Sequence, residues 1–158
     1  MKEIKIVEYD PSFQGSINFM MEGIQSEYPE MITTHHSTKM QEVFHLPGQK
    51  YWVALAGEQV AGTIGIVLFE KDKAVLKRMM VNKKFRGENY GTAASLMKVA
   101  LDWASNNGAS IVYLGTMKQF VAARRFYLKH GYTEISENAL PSSYPQNPMD
   151  SVFFSKKL

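Results

Sequence analysis

The stretch Tyr51 to Phe69, YWVALAGEQVAGTIGIVLF, constrains the fold of this chain more than any other. Two apolar segments flank Gly57 and Glu58, the pattern of two strands that turn back on each other. Its longest mostly apolar run, Val60 to Phe69, is far below the ~20 residues that a membrane helix needs. The hairpin therefore has to find its cover inside a soluble fold.

The segments around it alternate between strand and helix patterns. Lys2 to Glu8 alternates like a short strand. Asp10 and Pro11 make a helix start, with Asp as cap and Pro in the first turn. Phe13, Ile17, Met20, Met21, Ile24 and Tyr28 then share one helical face, which Pro29 ends. A second short helix is expected over Ser37 to Leu46, stopped by Pro47 and Gly48. After the hairpin, Lys71, Asp72 and Lys73 turn the chain into the strand AVLKRMMV. A helix carrying Leu96, Val99, Ala100 and Trp103 towards the core ends at Asn107 and Gly108. SIVYLG reads as a buried strand, QFVAARRFYLKH as a helix closed by Gly131, and YTEI as a strand. Pro141, Pro145 and Pro148 make Ser136 to Met149 a loop, and SVFFSKKL the last strand. The loop with Tyr144 reads as surface, with a cover over a pocket as the other reading. The sum is a mixed sheet flanked by helices, a single α/β domain.

With 158 residues, the chain suits one domain that buries roughly 70% of its unfolded surface. The formal charge of +3 favours acidic small molecules over nucleic acid, since no long basic block appears. The absence of cysteine removes disulfides, thiolate metal sites and any cysteine-linked acyl intermediate. His35, His36, His45 and His130 have no metal-ligand spacing. MKEIKIVEYD lacks the apolar core of a signal peptide, so a cytoplasmic protein without membrane or nucleic-acid partners is expected.

Between the fourth strand and the next helix lies FRGENYGTAASLM, just after Lys83 and Lys84. The first N–H groups of a helix lack internal partners and favour an anion, and Gly87 and Gly91 would let a phosphate approach the backbone closely. An ordinary surface loop is the alternative. No GxxxxGK[ST] or GxGxxG occurs, so neither a P-loop nor a dinucleotide fingerprint explains the segment.

VNKKFRGENYGTAASLM resembles the acyl-CoA-binding motif of the GNAT superfamily of N-acetyltransferases, [Q/R]xxGx[G/A], with Arg86 and Gly91 at its first and last places. AARRFYLKHGY, Ala122 to Tyr132, resembles a second block of that family at the expected distance after a strand. Asn89, the non-glycine residue type that best tolerates a left-handed backbone, stands at the pattern's glycine, and Phe120 where many members carry an asparagine. The resemblance covers most of the chain and implies a single-domain GNAT fold over residues 1–158. Its mixed, mostly antiparallel sheet would be splayed between the fourth and fifth strands. It also implies acetyl-CoA as cosubstrate. Backbone amides of Arg86, Gly87, Glu88, Asn89, Tyr90, Gly91 and Thr92 would hold its pyrophosphate, and Met79, Met80 and Val81 would pair with the pantetheine arm. Tyr127 matches the family tyrosine that gives a proton to the leaving thiolate, with a packed helix aromatic as the other reading.

The acceptor implied is a small-molecule or peptide amine, attacking directly within a ternary complex, because no cysteine or GxSxG serine offers a covalent route. An alkyl ammonium of pKa ~10.4 costs about 4 kcal/mol to deprotonate near neutrality, so it needs a general base more than an α-amine does. Glu70, Glu22 and Asp150 are the candidates, each reading more readily as a solvated surface charge, and a water-mediated route would need none of them. A noncatalytic acyl-CoA sensor or protein-interaction module is the alternative function, and the oligomeric state is left open, a homodimer included. Valine at Gly91 is expected to block the cofactor while the helix tolerates it.

Overall fold

The computed structural model describes residues 3–28 and 47–158. Among the described residues, seven strands form one mixed sheet in the order β1-β2-β3-β4-β5-β7-β6. They are β1 (Ile4–Glu8), β2 (Gln49–Ala56), β3 (Gln59–Glu70), β4 (Lys73–Val81), β5 (Ile111–Thr116), β6 (Thr133–Ile135) and β7 (Val152–Lys157). The flanking α-helices among the described residues are α1 (Gln14–Glu27), α2 (Thr92–Asn106) and α3 (Val121–Lys129). The helix expected over Ser37 to Leu46 lies outside the described residues. The chain divides into two compact units, residues 1–65 with 78–100 and residues 66–77 with 101–158.

In the first unit, β1 runs antiparallel to β2, from the pair Ile4–Ala56 to the pair Glu8–Trp52. The Asp10 carboxylate accepts from the Ser12 amide at 2.9 Å, as the cap pattern requires. The first turn is tighter than the sequence suggests. The Phe13 amide bonds the Asp10 carbonyl at 2.9 Å, a 3₁₀ turn over Pro11–Phe13, and the α-helix begins at Gln14. Ile17, Met20 and Ile24 of α1 are buried, three of the residues assigned to its apolar face. The hairpin turns where expected, with Gly57 at φ +63°. Val60, Ala61, Thr63 and Ile64 are all buried, so β3 is covered on both faces here, as a continuous apolar run predicts.

In the second unit, β5 lies parallel to β4 through Lys73–Ile111, Ala74–Val112 and Val75–Tyr113. That ladder ends at Val75 and Tyr113 although Leu76, Lys77 and Leu114–Thr116 continue as strand, which is the splay expected between the fourth and fifth strands. β7 is inserted antiparallel between β5 and β6, pairing Ile111–Lys157 through Thr116–Val152 on one side and Thr133–Ser155 through Ile135–Phe153 on the other. The proline-rich loop is not the plain surface loop that its composition suggests. Tyr144 is 5% exposed and packs edge-on against Phe69 (6.0 Å), Tyr113 (6.2 Å) and Phe153 (6.2 Å). An aromatic side chain buried this fully contributes about 1.5–3 kcal/mol, enough to fix the loop to the sheet.

Candidate active site

The end of β4 departs from a regular strand. Arg78 has φ +54°, and among the described residues it is the one non-glycine with positive φ. A left-handed residue inside a strand interrupts the alternation of its side chains and costs about 1–3 kcal/mol, so something must hold it. The Thr63 hydroxyl, 1% exposed, donates to the Arg78 carbonyl at 2.9 Å. Tyr51 hydrogen bonds that same threonine, and burial pushes its phenol up to about 12. A Cβ on Gly62 would stand 2.7 Å from the Met80 carbonyl and 3.1 Å from Leu96 Cδ1, so only glycine admits this close approach of β3 to β4. Beyond the bend, Met79, Met80 and Val81 stay half-exposed within a seven-stranded sheet. They form an apolar strip wanting cover.

From Val81 the chain passes through a 3₁₀ turn, Lys83–Phe85, capped by the Asn82 side chain on the Lys84 amide at 3.0 Å. The Arg86 side chain is fully engaged. Its Nε donates to the Val81 carbonyl at 2.9 Å, and its fork meets both Glu27 oxygens at 2.7 and 2.9 Å. The motif arginine thus ties the end of α1 to the end of β4. Gly87 (φ +105°) and Gly91 (φ +63°) both adopt left-handed backbone. The Tyr90 and Gly91 amides return to the Gly87 carbonyl at 3.2 Å, closing the turn. Gly91 then accepts from the Ser95 amide at 2.9 Å as the first residue of the helical ladder. Thr92 is buried at 1% exposure, and its hydroxyl donates to the Phe85 carbonyl at 3.0 Å and fixes the loop's entry against its exit.

Two expectations change. Asn89 has no left-handed backbone, so the motif's missing glycine costs nothing in φ. Gly91 precedes the helix at positive φ, so a valine there strains the backbone whatever binds nearby, and that substitution is no clean probe of an anion. The turn is sterically open around its two glycines, as a seat for an anion requires. No atom outside the glycine's own neighbours lies within 4 Å of a Cβ built on Gly87, and the nearest to Gly91 is the Glu88 carbonyl at 3.9 Å. Met79, Met80, Val81 and Arg86 to Thr92 all belong to the first unit. In the same unit a groove of about 360 Å³ is lined by Met20 and the exposed Phe19 of α1, with Gln59, Val60 and Asn82. One residue of the first helix's apolar face thus walls a cavity.

Tyr127 belongs to the second unit. It is the buried residue of α3, 6% exposed, between Tyr132 (5.6 Å), Phe154 (5.6 Å) and Phe126 (5.9 Å). Burial, then the charge of Asp150, push its phenol well above the ordinary tyrosine range. Of the three candidate bases, Glu70 is held low by hydrogen bonds from Ser143 and Lys73, which makes it a poor proton acceptor. Glu22 lies on the exposed side of α1. Asp150 is half-buried, and desolvation raises it from 3.8 to about 6 against the opposing charge of Lys77. Phe120, in the place of the family's asparagine, begins α3 without a side-chain cap.

A model of the acetyltransferase (GNAT) family matches residues 17–132, well over half of the chain. The chain belongs to the GNAT acetyltransferase family. This GNAT domain is 33% identical over 111 residues to the N-acetylaspartate synthetase of Danio rerio, covering 68% of this chain and 38% of that protein. It thus spans about two fifths of the length of that curated relative. A GNAT-family acetyltransferase from Staphylococcus aureus Mu50 superimposes with a TM-score of 0.88 at 25% identity, over 98% of both chains. PaiA N-acetyltransferase from Thermoplasma acidophilum, solved with coenzyme A, shares the fold at 15% identity and a TM-score of 0.74 over 99% of both chains. By its family the domain is an acetyltransferase domain.

Sequence reasoning missed the bend at Arg78, since arginine has no preference for left-handed backbone. It also passed over Gly62 and Gly115. Both are glycines inside strands, a signal of close approach that was there to be read.

Proposed function

We propose that this domain moves the acetyl group of acetyl-CoA onto a primary amine by direct attack in a ternary complex. The observation that carries the reading is the sterically open turn with left-handed Gly87 and Gly91, leading straight into α2. The Arg86, Tyr90 and Gly91 amides are bonded within the turn. The amides of Gly87 and Asn89 and of the first turn of α2 therefore hold the pyrophosphate, and the half-exposed strip Met79–Val81 takes the pantetheine arm. Arg86 contributes by clamping Glu27 and Val81, so that the turn keeps its shape. Tyr127 is kept protonated by its surroundings and offers its hydroxyl to the departing sulfur.

The amine brings its lone pair to the thioester carbonyl carbon, the carbon–sulfur bond breaks, and the nitrogen loses a proton. The chain holds no cysteine to accept the acetyl group first, which favours direct attack. The name of the Danio rerio relative puts an amino-acid α-amine first among acceptors. An α-amine of pKa ~8 loses its proton near neutrality at a cost under about 1 kcal/mol. The test is a panel of amines incubated with acetyl-CoA and scored by thiol release, with aspartate, other amino acids, polyamines and peptides in separate arms. Release with any of them above the amine-free rate supports the reading. A panel without release, from protein that still binds acetyl-CoA, favours a sensor instead.

A further inference from the structure

Asp150 sits in a place made for it. A Cβ on Gly115 of β5 would meet Asp150 Oδ2 at 2.2 Å, Cγ at 2.6 Å and Cβ at 2.9 Å. The carboxyl group therefore occupies the notch that the glycine leaves, and no other residue at 115 would admit it. The segment before β7 is built to deliver it there. The Met149 amide bonds Asn147 Oδ1 at 3.0 Å and the Asp150 amide bonds the Asn147 carbonyl at 3.0 Å, a closed turn. The Ser151 amide then bonds the Thr116 carbonyl at 2.9 Å, and Ser151 Oγ accepts from the Lys118 amide at 3.2 Å. Four hydrogen bonds and a missing side chain thus fix one carboxylate on β5, in the same unit as Tyr127.

We propose that Asp150, seated in the Gly115 notch, is the base that takes the proton of the attacking amine and then returns it to Tyr127. This rests on the acetyl-transfer reading. The amine nitrogen bonds the carbonyl carbon and passes its N–H proton to the Asp150 carboxylate. As the carbon–sulfur bond breaks, the sulfur takes the phenolic proton of Tyr127. The Tyr127 phenolate is then reprotonated by the Asp150 carboxylic acid. The products are an amide and a thiol, and both side chains are back in their starting states; an acceptor that arrives as an ammonium sheds one further proton to solvent.

The surroundings suit such an exchange. The titratable and charged groups acting on Asp150, or acted on by it, are Lys77 of β4, Tyr127 of α3 and Tyr144 of the preceding loop. Lys77 favours the carboxylate and desolvation opposes it, leaving a group that is ionised at neutral pH yet far more basic than a surface aspartate. The charge of Asp150 also raises both phenols. Once the carboxylate has accepted the amine proton that charge is gone, and Tyr127 becomes a better acid at the step where the sulfur leaves. A surface carboxylate such as Glu70 lacks this coupling.

The test compares the parent protein with Asp150→Asn, using acetyl-CoA and the best amine of the panel. The expected result is a fall in kcat of about 10²–10⁴ with acetyl-CoA affinity kept, and loss of the acid limb of kcat expected near pH 6 in the parent. Gly115→Ala, which displaces the carboxyl group without removing it, should reduce kcat in the same direction. A second measurement needs no acceptor. In protein labelled with ¹³C at the tyrosine ζ carbon, Tyr127 should ionise at lower pH in Asp150→Asn than in the parent. An Asp150→Asn protein that turns over like the parent with its acid limb intact, or a Tyr127 titration that does not move, overturns the assignment. A parent protein that acetylates no amine rejects the acetyl-transfer reading itself and the role of Asp150 with it.

Discussion

If Asp150 is kept in its notch for chemistry, the fold should be more stable without its charge, and Asp150→Asn measures by how much. The carboxyl group rises from 3.8 to about 6, chiefly by desolvation. Two units correspond to about 3 kcal/mol, and since the group is only half-buried, solvent screening reduces this to about 1–2 kcal/mol. The sign follows from proton binding. The folded state holds the proton more tightly than the unfolded chain, so stability falls as pH rises from about 4 to about 6, and the penalty is complete above that window. Asparagine has the same shape and never ionises. Asp150→Asn should therefore melt about 2–8 °C higher than the parent at pH 8, taking about 2–4 °C per kcal/mol for a chain of this size. Near pH 4 the two melting temperatures should converge. Calorimetric scans at both pH values decide the matter: an Asp150→Asn protein that melts at or below the parent at pH 8 would mean that the carboxylate stabilises its surroundings, and would falsify the desolvation account.

The other predictions concern the cosubstrate, the proton donor and the two tight contacts of the first unit. Acetyl-CoA at about 100 times its Kd should stabilise the protein by about 2.7 kcal/mol, seen as a rise in melting temperature, and its affinity should weaken with added salt. Tyr127→Phe should lower kcat by about 10² with unchanged acetyl-CoA binding, since only the hydroxyl is lost from a well-packed ring; equal turnover would return Tyr127 to a purely packing role. Gly62→Ala forces a methyl group against the Met80 carbonyl and Leu96, and should cost about 1–3 kcal/mol in denaturant titrations while weakening acetyl-CoA binding. Arg86→Lys should cost about 0.5–1.5 kcal/mol because lysine cannot span Glu27 and the Val81 carbonyl together, and a double-mutant cycle with Glu27→Gln should show the two residues coupled.

How much of this was legible beforehand depends on the kind of interaction. The hairpin at Gly57 and Glu58, the strand order along the chain and the cap at Asp10 follow from local chemistry, and the structure has them where the residues point. The 3₁₀ turn after Asp10 was not legible, because Pro11 and the cap suit either kind of first turn. The buried Tyr144 was hidden by its three prolines: composition reports that a loop is present, while its packing against Phe69 and Tyr113 depends on residues far away in sequence. The motif loop was readable through its glycines, but the engagement of Arg86 with Glu27 spans 59 positions and leaves no trace in either neighbourhood. Asp150 shows the same limit from the other side. Nothing around it distinguishes it from Glu70 or Glu22 until Gly115, in another strand, is seen to make room for it.

The bend at Arg78 also acts as a ruler. A strand can slip by one residue past its neighbour only if every position tolerates the exchange of faces that follows. Here Thr63 can meet the carbonyl of a left-handed residue at one place only, and Gly62 can lie under Met80 at one place only. The Asn82 amide on the Ala61 carbonyl, at 2.8 Å, is a third mark on the same scale. The register of β4 on β3 is thus pinned three times within the five residues from Arg78 to Asn82. The number of residues from the bend to Gly87 is fixed by the chain, so each pin also fixes where the turn begins relative to the strip Met79–Val81. Insertions or deletions between Arg78 and Gly87 should for this reason be tolerated far less well than changes of residue type there, for they shift the turn against its strand while leaving both intact.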